Sequence, residues 1–124
     1  MNQINRRTLL AGVAATGAIP ATATPAQEDP IKSQPYLKGK SVLITGCSSG
    51  FGRLAAESCA RAGAKVFATM RNLPRKEAEE LRILALKEKL DLQVIEIDVT
   101  SDEQVTNGVN EALTAAGGTL DVLI

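Results

Sequence analysis

The stretch SVLITGCSSGFG, residues 41–52, decides the fold of this chain. Its first five residues, Ser41 to Thr45, form a short, β-branched apolar run, which predicts a buried strand. Residues 46–49 predict a loop. A helix is predicted from Gly50, because apolar residues at helical spacing follow it. A strand, a glycine-rich turn and a helix in this order predict the start of a βαβ unit.

The helix that begins at Gly50 is predicted to end at Gly63, because a glycine just past a helix end readily takes the left-handed conformation. Residues at helical spacing predict the face that packs on the sheet. They are Phe51, Leu54, Ala55, Ser58, Cys59 and Ala62.

Further strands are predicted at residues 65–70, 92–97 and 120–124. Because these short apolar runs alternate with helical segments, they predict an α/β fold with a parallel sheet. The chain stops at the end of the last run, so we expect it to be the N-terminal part of a longer protein.

Two more helices are predicted between these strands. Pro74 is expected to open the first, and Thr100 or Ser101 to cap the second. Gly117-Gly118 is expected to end the second helix. Their apolar stripes are Ala78, Leu81, Ala85 and Leu86 in the first, and Val105, Val109, Ala112 and Ala116 in the second.

Composition excludes several classes of function. The 124 residues carry 14 basic and 14 acidic side chains, so no basic surplus is available to hold a nucleic-acid backbone. The chain has no histidine, which excludes imidazole chemistry and most catalytic zinc sites, and we expect no metal site. Cys47 and Cys59 are expected to be small buried thiols rather than a disulfide or a nucleophile.

Residues 1–26 have the layout of a signal peptide, with Arg6 and Arg7 before an apolar run that is too short for a stable membrane span. The paired arginines resemble a twin-arginine export signal, which predicts a periplasmic or secreted protein. A misassigned start, a disordered tail and a cytoplasmic location are the alternatives. Residues 27–36 are predicted to be a linker, and residues 37–124 the folded domain.

The glycines of the turn have the spacing G-x-x-x-G-x-G. Gly46 permits a tight turn, Gly50 lets the backbone approach a pyrophosphate, and Gly52 lets the helix pack close to the strand. The helix N-terminus offers free N–H groups to phosphates, and Ser48 and Ser49 add hydroxyl groups. Because no lysine follows Gly52, an ATP-hydrolysing loop is disfavoured.

The glycine turn, Asp98-Val99-Thr100 after the third strand and the run LDVLI at 120–124 together resemble the short-chain dehydrogenase/reductase family. Within the family, the motifs GCSSG (residues 46–50) and VFATMRN (residues 66–72) are similar to sequences of the 17β-hydroxysteroid and retinol dehydrogenase-like branch. The resemblance implies the N-terminal half of a Rossmann-type, doubly wound parallel sheet, with four strands and three connecting helices. It also implies that Phe51 belongs to the nucleotide-binding turn.

The residue after the second strand predicts which dinucleotide binds. An NAD-binding chain places a carboxylate there for the ribose hydroxyl, whereas an arginine accommodates a 2′-phosphate. Here that residue is Arg71, so NADP is favoured over NAD. The resemblance implies that Asp98 accepts from the adenine amino group beside the Val99 backbone. A second expected role of Asp98, compatible with the first, is to cap the following helix.

The family's reaction moves hydride between a nicotinamide and an alcohol or ketone. The resemblance implies that its catalytic asparagine, serine, tyrosine and lysine would follow Ile124, so no catalytic residue is predicted within this chain. Tyr36, the only tyrosine, is not the catalytic one. A non-catalytic dinucleotide-binding module and an inactive truncated reading frame are the alternatives. We expect a homo-oligomer only for a full-length protein.

Overall fold

The computed structural model describes residues 35–124 of the chain. The predicted signal peptide and almost all of the predicted linker lie outside the described residues. Within 35–124, four strands alternate with three helices, as predicted. The strands are β1 (Ser41–Ile44), β2 (Lys65–Met70), β3 (Leu92–Glu96) and β4 (Val122–Leu123). The helices are α1 (Gly50–Arg61), α2 (Lys76–Glu88) and α3 (Asp102–Ala116).

The strands form one parallel sheet in the order β3-β2-β1-β4. In the register of the sheet, Leu43 of β1 pairs with Phe67 of β2 on one side and with Leu123 of β4 on the other. The chain therefore moves outward from β1 to β3 and then returns to place β4 on the free side of β1. This reversal is a topological switch point, where open α/β sheets bind ligands at the carboxyl ends of their strands.

Helices cover both faces of the sheet, as the doubly wound prediction requires. One face packs on α1 and α2 and the other on α3. Successive residues of a strand point to opposite faces, so each strand contributes side chains to both cores. Val42, Val66 and Ala68 lie in the core on the first face, with Ala56, Ala60, Ala78 and Leu81 from the helices. Leu43, Phe67, Ile95 and Ile97 lie in the core on the second face, with Ala112 from α3.

The predicted packing face of α1 is wrong for its largest members. Phe51 is 91% exposed and Leu54 is 61% exposed, whereas the buried residues of α1 are Ala56 and Ala60. Gly52, Ala56 and Ala60 recur every four residues and so lie on one side of the helix. The side of the helix that faces the sheet thus carries small residues, and the larger apolar residues Phe51 and Leu54 lie outside.

The stripe of α2 is confirmed at Ala78, Leu81 and Ala85, but Leu86 is 81% exposed. Leu86 lies about 100° around the helix from Ala85, away from the sheet. Pro74 does not open this helix: α2 begins at Lys76, after an extended residue.

The predicted features of α3 are confirmed at both ends. The Ser101 hydroxyl caps the helix by accepting from the amide of Gln104 at 3.3 Å, and Gly117 ends it in the left-handed conformation, with φ of 84°. The predicted stripe of α3 faces the core. No helix within residues 35–124 combines the length and apolar character that crossing a bilayer requires.

Candidate functional site

The turn between β1 and α1, residues 46–52, is called the glycine loop here. Gly46 and Gly50 adopt φ of 67° and 62°, which other residues rarely adopt. A Cβ atom at Gly52 would collide with the carbonyl oxygen of Gly46 and lie 2.9 Å from that of Thr45. The tight turn at Gly46 and the close packing at Gly52 are as the spacing predicted, and Gly50 is required by its positive φ.

The N-terminus of α1 presents unpaired donors. Among the described residues, the amides of Gly50, Phe51 and Gly52 have no hydrogen-bond acceptor, and the hydroxyl of the N-cap residue Ser49 makes no capping bond. Free N–H groups and the positive end of the helix dipole together favour an anion.

Two neighbouring strands hold the glycine loop in place. The Cys47 amide donates to the Thr69 carbonyl of β2 at 2.9 Å. The Thr45 amide and hydroxyl both donate to the Ile124 carbonyl, at 2.8 and 3.2 Å, which ties the loop to the end of β4. The backbone that would approach a phosphate is therefore fixed before any ligand arrives.

Cys47 is a structural thiol in this loop. It is fully buried and donates from Sγ to the Ile44 carbonyl at 3.2 Å. Burial raises the pKa of its thiol to about 11, so it stays protonated at neutral pH and is a poor nucleophile. Cys47 and Cys59 are both free, which confirms that they form no disulfide with each other, although Cys59 is only partly buried.

The carboxyl ends of β1, β2 and β3 open onto a cleft of about 270 Å³, called the carboxyl-edge cleft. It brings together five residues predicted from the sequence to bind a dinucleotide, namely Gly46, Ser48, Arg71, Asp98 and Val99. The other four predicted residues belong to the same glycine loop but do not line the cleft. They are Ser49, Gly50, Phe51 and Gly52.

Asp98 does not cap α3, so the expected capping role is wrong. Its Oδ1 accepts from the amide and the hydroxyl of Thr100, at 2.9 and 2.7 Å, while Ser101 caps the helix. These two hydrogen bonds, with a smaller contribution from the positive charge of Arg71, lower the pKa of the Asp98 carboxyl. Asp98 is therefore a fixed carboxylate at the edge of the cleft.

Two residues near the cleft were missed by sequence reasoning. Arg75 lines the cleft, and its Nη1 donates to the Arg71 carbonyl at 3.1 Å. Glu96, at the end of β3, accepts from the Leu73 amide at 3.2 Å. The sequence signal for Arg75 was the presence of a second arginine four residues after Arg71. The contact of Glu96 has no such signal, because it arises from the pairing of Glu96 with Met70 in the sheet.

Two other clefts lie away from the glycine loop. One, of about 430 Å³, lies at the amino edge of the sheet beside Ser41 and Asp121. The other, of about 410 Å³, lies between α1 and α2 beside Arg53 and Glu80. Neither is at the carboxyl ends of the strands, so the smaller carboxyl-edge cleft is the candidate site.

Comparison with known families agrees with this geometry. Residues 40–124 match the family model described as short chain dehydrogenase, which covers every strand and helix given above. The chain belongs to the short-chain dehydrogenase family.

Known members of the family resemble the chain over only part of their own length. A short-chain dehydrogenase of Talaromyces islandicus is 36% identical over 86 residues, which is 68% of this chain and 28% of that protein. A mouse 17-beta-hydroxysteroid dehydrogenase, type 6, is 43% identical over 70 residues, or 56% of this chain and 20% of that protein. The chain thus spans less than a third of the length of these relatives.

Solved structures of family members share the fold. A short-chain dehydrogenase/reductase of unknown function from Caenorhabditis elegans, solved with cofactor, is 34% identical with a TM-score of 0.65, over 72% of this chain and 33% of that one. A blue fluorescent protein from a metagenomic library, in complex with NADPH, is 27% identical with a TM-score of 0.64, over 71% and 36% of the two chains.

Tyr36 lies far from the carboxyl-edge cleft. It is 58% exposed, and the amide of the next residue donates to the Ala62 carbonyl at 2.9 Å. Because α1 begins at the glycine loop, Ala62 at its other end is on the amino edge of the sheet. Tyr36 is therefore not placed to exchange a proton with a substrate at the carboxyl edge.

Proposed function

We propose that this chain is the cofactor-binding part of an oxidoreductase that transfers hydride between NADP(H) and an alcohol or carbonyl substrate. The observation that carries the proposal is the position of Arg71. It follows β2 directly and lines the same cleft as Gly46 of the glycine loop, where a carboxylate would select NAD.

The described residues fit a dinucleotide along the carboxyl edge. The free amides at the start of α1 suit a pyrophosphate, with the Ser48 and Ser49 hydroxyl groups beside them. Asp98 would accept from the adenine amino group next to the Val99 backbone, and Arg71 would pair with the ribose 2′-phosphate. When bound, the nicotinamide supplies or accepts the hydride.

A binding function without catalysis is the second candidate, and it rests on the same glycine loop and carboxyl-edge cleft. Under this candidate the chain binds NADP(H) with the same preference but does not turn over an alcohol or a ketone.

Isothermal titration of the full chain with NADPH and NADH tests the cofactor assignment. We expect tighter binding of NADPH, and we expect Arg71→Asp to remove or reverse the preference because a carboxylate repels the 2′-phosphate. Lys38→Asp makes a comparable charge reversal at the amino edge and should leave the preference unchanged. An unchanged preference in Arg71→Asp would refute the assignment.

The location of the protein is proposed from its N-terminal residues. We infer export through the twin-arginine route, directed by Arg6 and Arg7, to the periplasm or the medium. Replacing both arginines by lysine should retain the product inside the cell, while Lys38→Gln should not. Continued export of the double variant would overturn the inference.

A further inference from the structure

The segment that carries Arg71 is held in a fixed turn between β2 and α2. Asn72 adopts φ of 61°, and the Leu73 amide donates to Glu96 Oε2 at 3.2 Å. The turn brings residue 75 back to the same cleft as residue 71. Two arginines, Arg71 and Arg75, therefore line the same cleft, and of the two only Arg71 directly follows β2.

The guanidinium of Arg75 is fixed on two of its three nitrogens. Nη1 donates to the Arg71 carbonyl at 3.1 Å, and Nε donates to Glu77 Oε1 at 2.7 Å. Among the described residues, Nη2 has no acceptor. The side chain is 31% exposed and lines the cleft.

We propose that Arg75 is a second specificity residue for the ribose 2′-phosphate, acting together with Arg71. This inference rests on the proposed NADP function. Arg71 is exposed and makes no side-chain hydrogen bond within residues 35–124. Pairing of Arg71 alone with a phosphate would therefore cost much side-chain conformational entropy. Arg75 is already oriented by its hydrogen bonds to Glu77 and to the Arg71 carbonyl.

The charges around the cleft favour a dianion over a neutral ribose. A phosphate monoester carries close to two negative charges at neutral pH. Arg71 and Arg75 line the cleft, whereas the one carboxylate in the lining, Asp98, is engaged with Thr100. Glu77 partly offsets Arg75, so a phosphate must compete with that carboxylate for the guanidinium.

The test measures binding of 2′,5′-ADP and of 5′-AMP to the full chain, because the two nucleotides differ only by the 2′-phosphate. Arg75→Gln should bind 2′,5′-ADP about tenfold more weakly than the wild type, because one charge-assisted hydrogen bond is lost. Its binding of 5′-AMP should stay the same. Arg75→Lys keeps the charge and should give an intermediate loss. Lys76→Gln removes the same charge one residue away, outside the cleft, and should bind both nucleotides like the wild type.

A second variant keeps the test decisive if Arg75→Gln does not fold. Glu77→Gln preserves an oxygen that accepts from Nε but removes the competing charge, so it should strengthen binding of 2′,5′-ADP and leave 5′-AMP unchanged. Weaker binding of 2′,5′-ADP by Glu77→Gln, or an equal loss of both nucleotides in the Arg75 variants, would assign Arg75 a structural role only and overturn the inference.

The two proposals fail in different ways. A wild-type chain that binds 5′-AMP as tightly as 2′,5′-ADP would overturn the NADP assignment itself. A wild-type preference for 2′,5′-ADP that Arg71→Asp removes but Arg75→Gln leaves intact would overturn only the role of Arg75.

Discussion

Gly52 lies against the backbone of Gly46, so close that a methyl group at position 52 would overlap the Gly46 carbonyl oxygen. This contact sets how near α1 comes to the sheet. It explains why the sheet-facing side of α1 continues with Ala56 and Ala60, and it brings the free amides of the helix N-terminus to the carboxyl edge. One backbone contact thus links the packing of the domain to the candidate site.

Gly52→Ala should lower both stability and nucleotide binding. Because the added methyl group meets backbone atoms that cannot turn away, we expect the free energy of unfolding to fall by about 1–3 kcal/mol. Displacement of the glycine loop should also weaken NADPH binding. Urea unfolding and isothermal titration measure the two effects, and Ser49→Ala, whose hydroxyl makes no capping bond, should leave stability nearly unchanged. Wild-type stability in Gly52→Ala would contradict the close approach.

Much of the fold is predictable from the sequence because its signals are local. The strand at 65–70 and the glycine spacing follow from short apolar runs and turn chemistry, and both match the structure. The packing face of α1 is not local. Phe51 and Leu54 have the right helical spacing for a core face, but the Gly52 contact brings that helix too close for large side chains, a fact that helical spacing alone does not contain.

The candidate site is predictable to the same degree. Arg71 and Asp98 each follow a predicted strand, so their meeting at one edge follows from parallel strands. Arg75 reaches the cleft through a turn whose path the sequence does not specify. Gly108 was missed for a similar reason: a Cβ there would collide with the Ile97 side chain, which reveals a close contact between α3 and β3 that no periodicity indicates.

The buried thiol of Cys47 should make stability fall at alkaline pH. Its pKa is raised to about 11 in the folded protein, against an ordinary value of 9.0, so the unfolded chain loses the proton first. The stabilising contribution is complete below pH 9 and is lost as the pH rises from 9 to about 11, a change of roughly 2–3 kcal/mol. Unfolding measured across this range should be less pH-dependent in Cys47→Ala, while Cys59→Ala keeps most of the dependence. Identical slopes for wild type and Cys47→Ala would contradict the assignment.

The carboxylate of Asp121 should make β4 sensitive to acid. Its Oδ2 accepts from the Ser41 amide at 2.8 Å and from the Ser41 hydroxyl at 3.2 Å. The hydrogen bond from the amide is the larger cause of the lowered pKa of the Asp121 carboxyl. Because the folded pKa is below the ordinary 3.8, the stabilisation is present above that pH and is lost as the pH falls further.

Asp121→Asn should therefore be less stable than the wild type at pH 7 and lose less stability on acidification below pH 4. Chemical unfolding at several pH values measures both effects. Glu111→Gln, on the exposed side of α3, removes the same charge without a contact to β1 and should behave like the wild type. Equal acid dependence in Asp121→Asn and the wild type would exclude this carboxylate as the cause.

The C-terminus of α2 offers a stabilising substitution. Lys89 ends the helix in the left-handed conformation, with φ of 57°, and this conformation lets the Leu90 amide donate to the Ala85 carbonyl at 2.8 Å. A glycine adopts it without the steric cost of a Cβ atom, so Lys89→Gly should raise the free energy of unfolding by about 0.5–1 kcal/mol. Lys87→Gly, inside the last turn of the same helix, should instead lower it by about 1 kcal/mol. Thermal and urea unfolding of both variants provide the measurement, and a loss of stability in Lys89→Gly would show that the lysine side chain contributes more than the strain of its backbone costs.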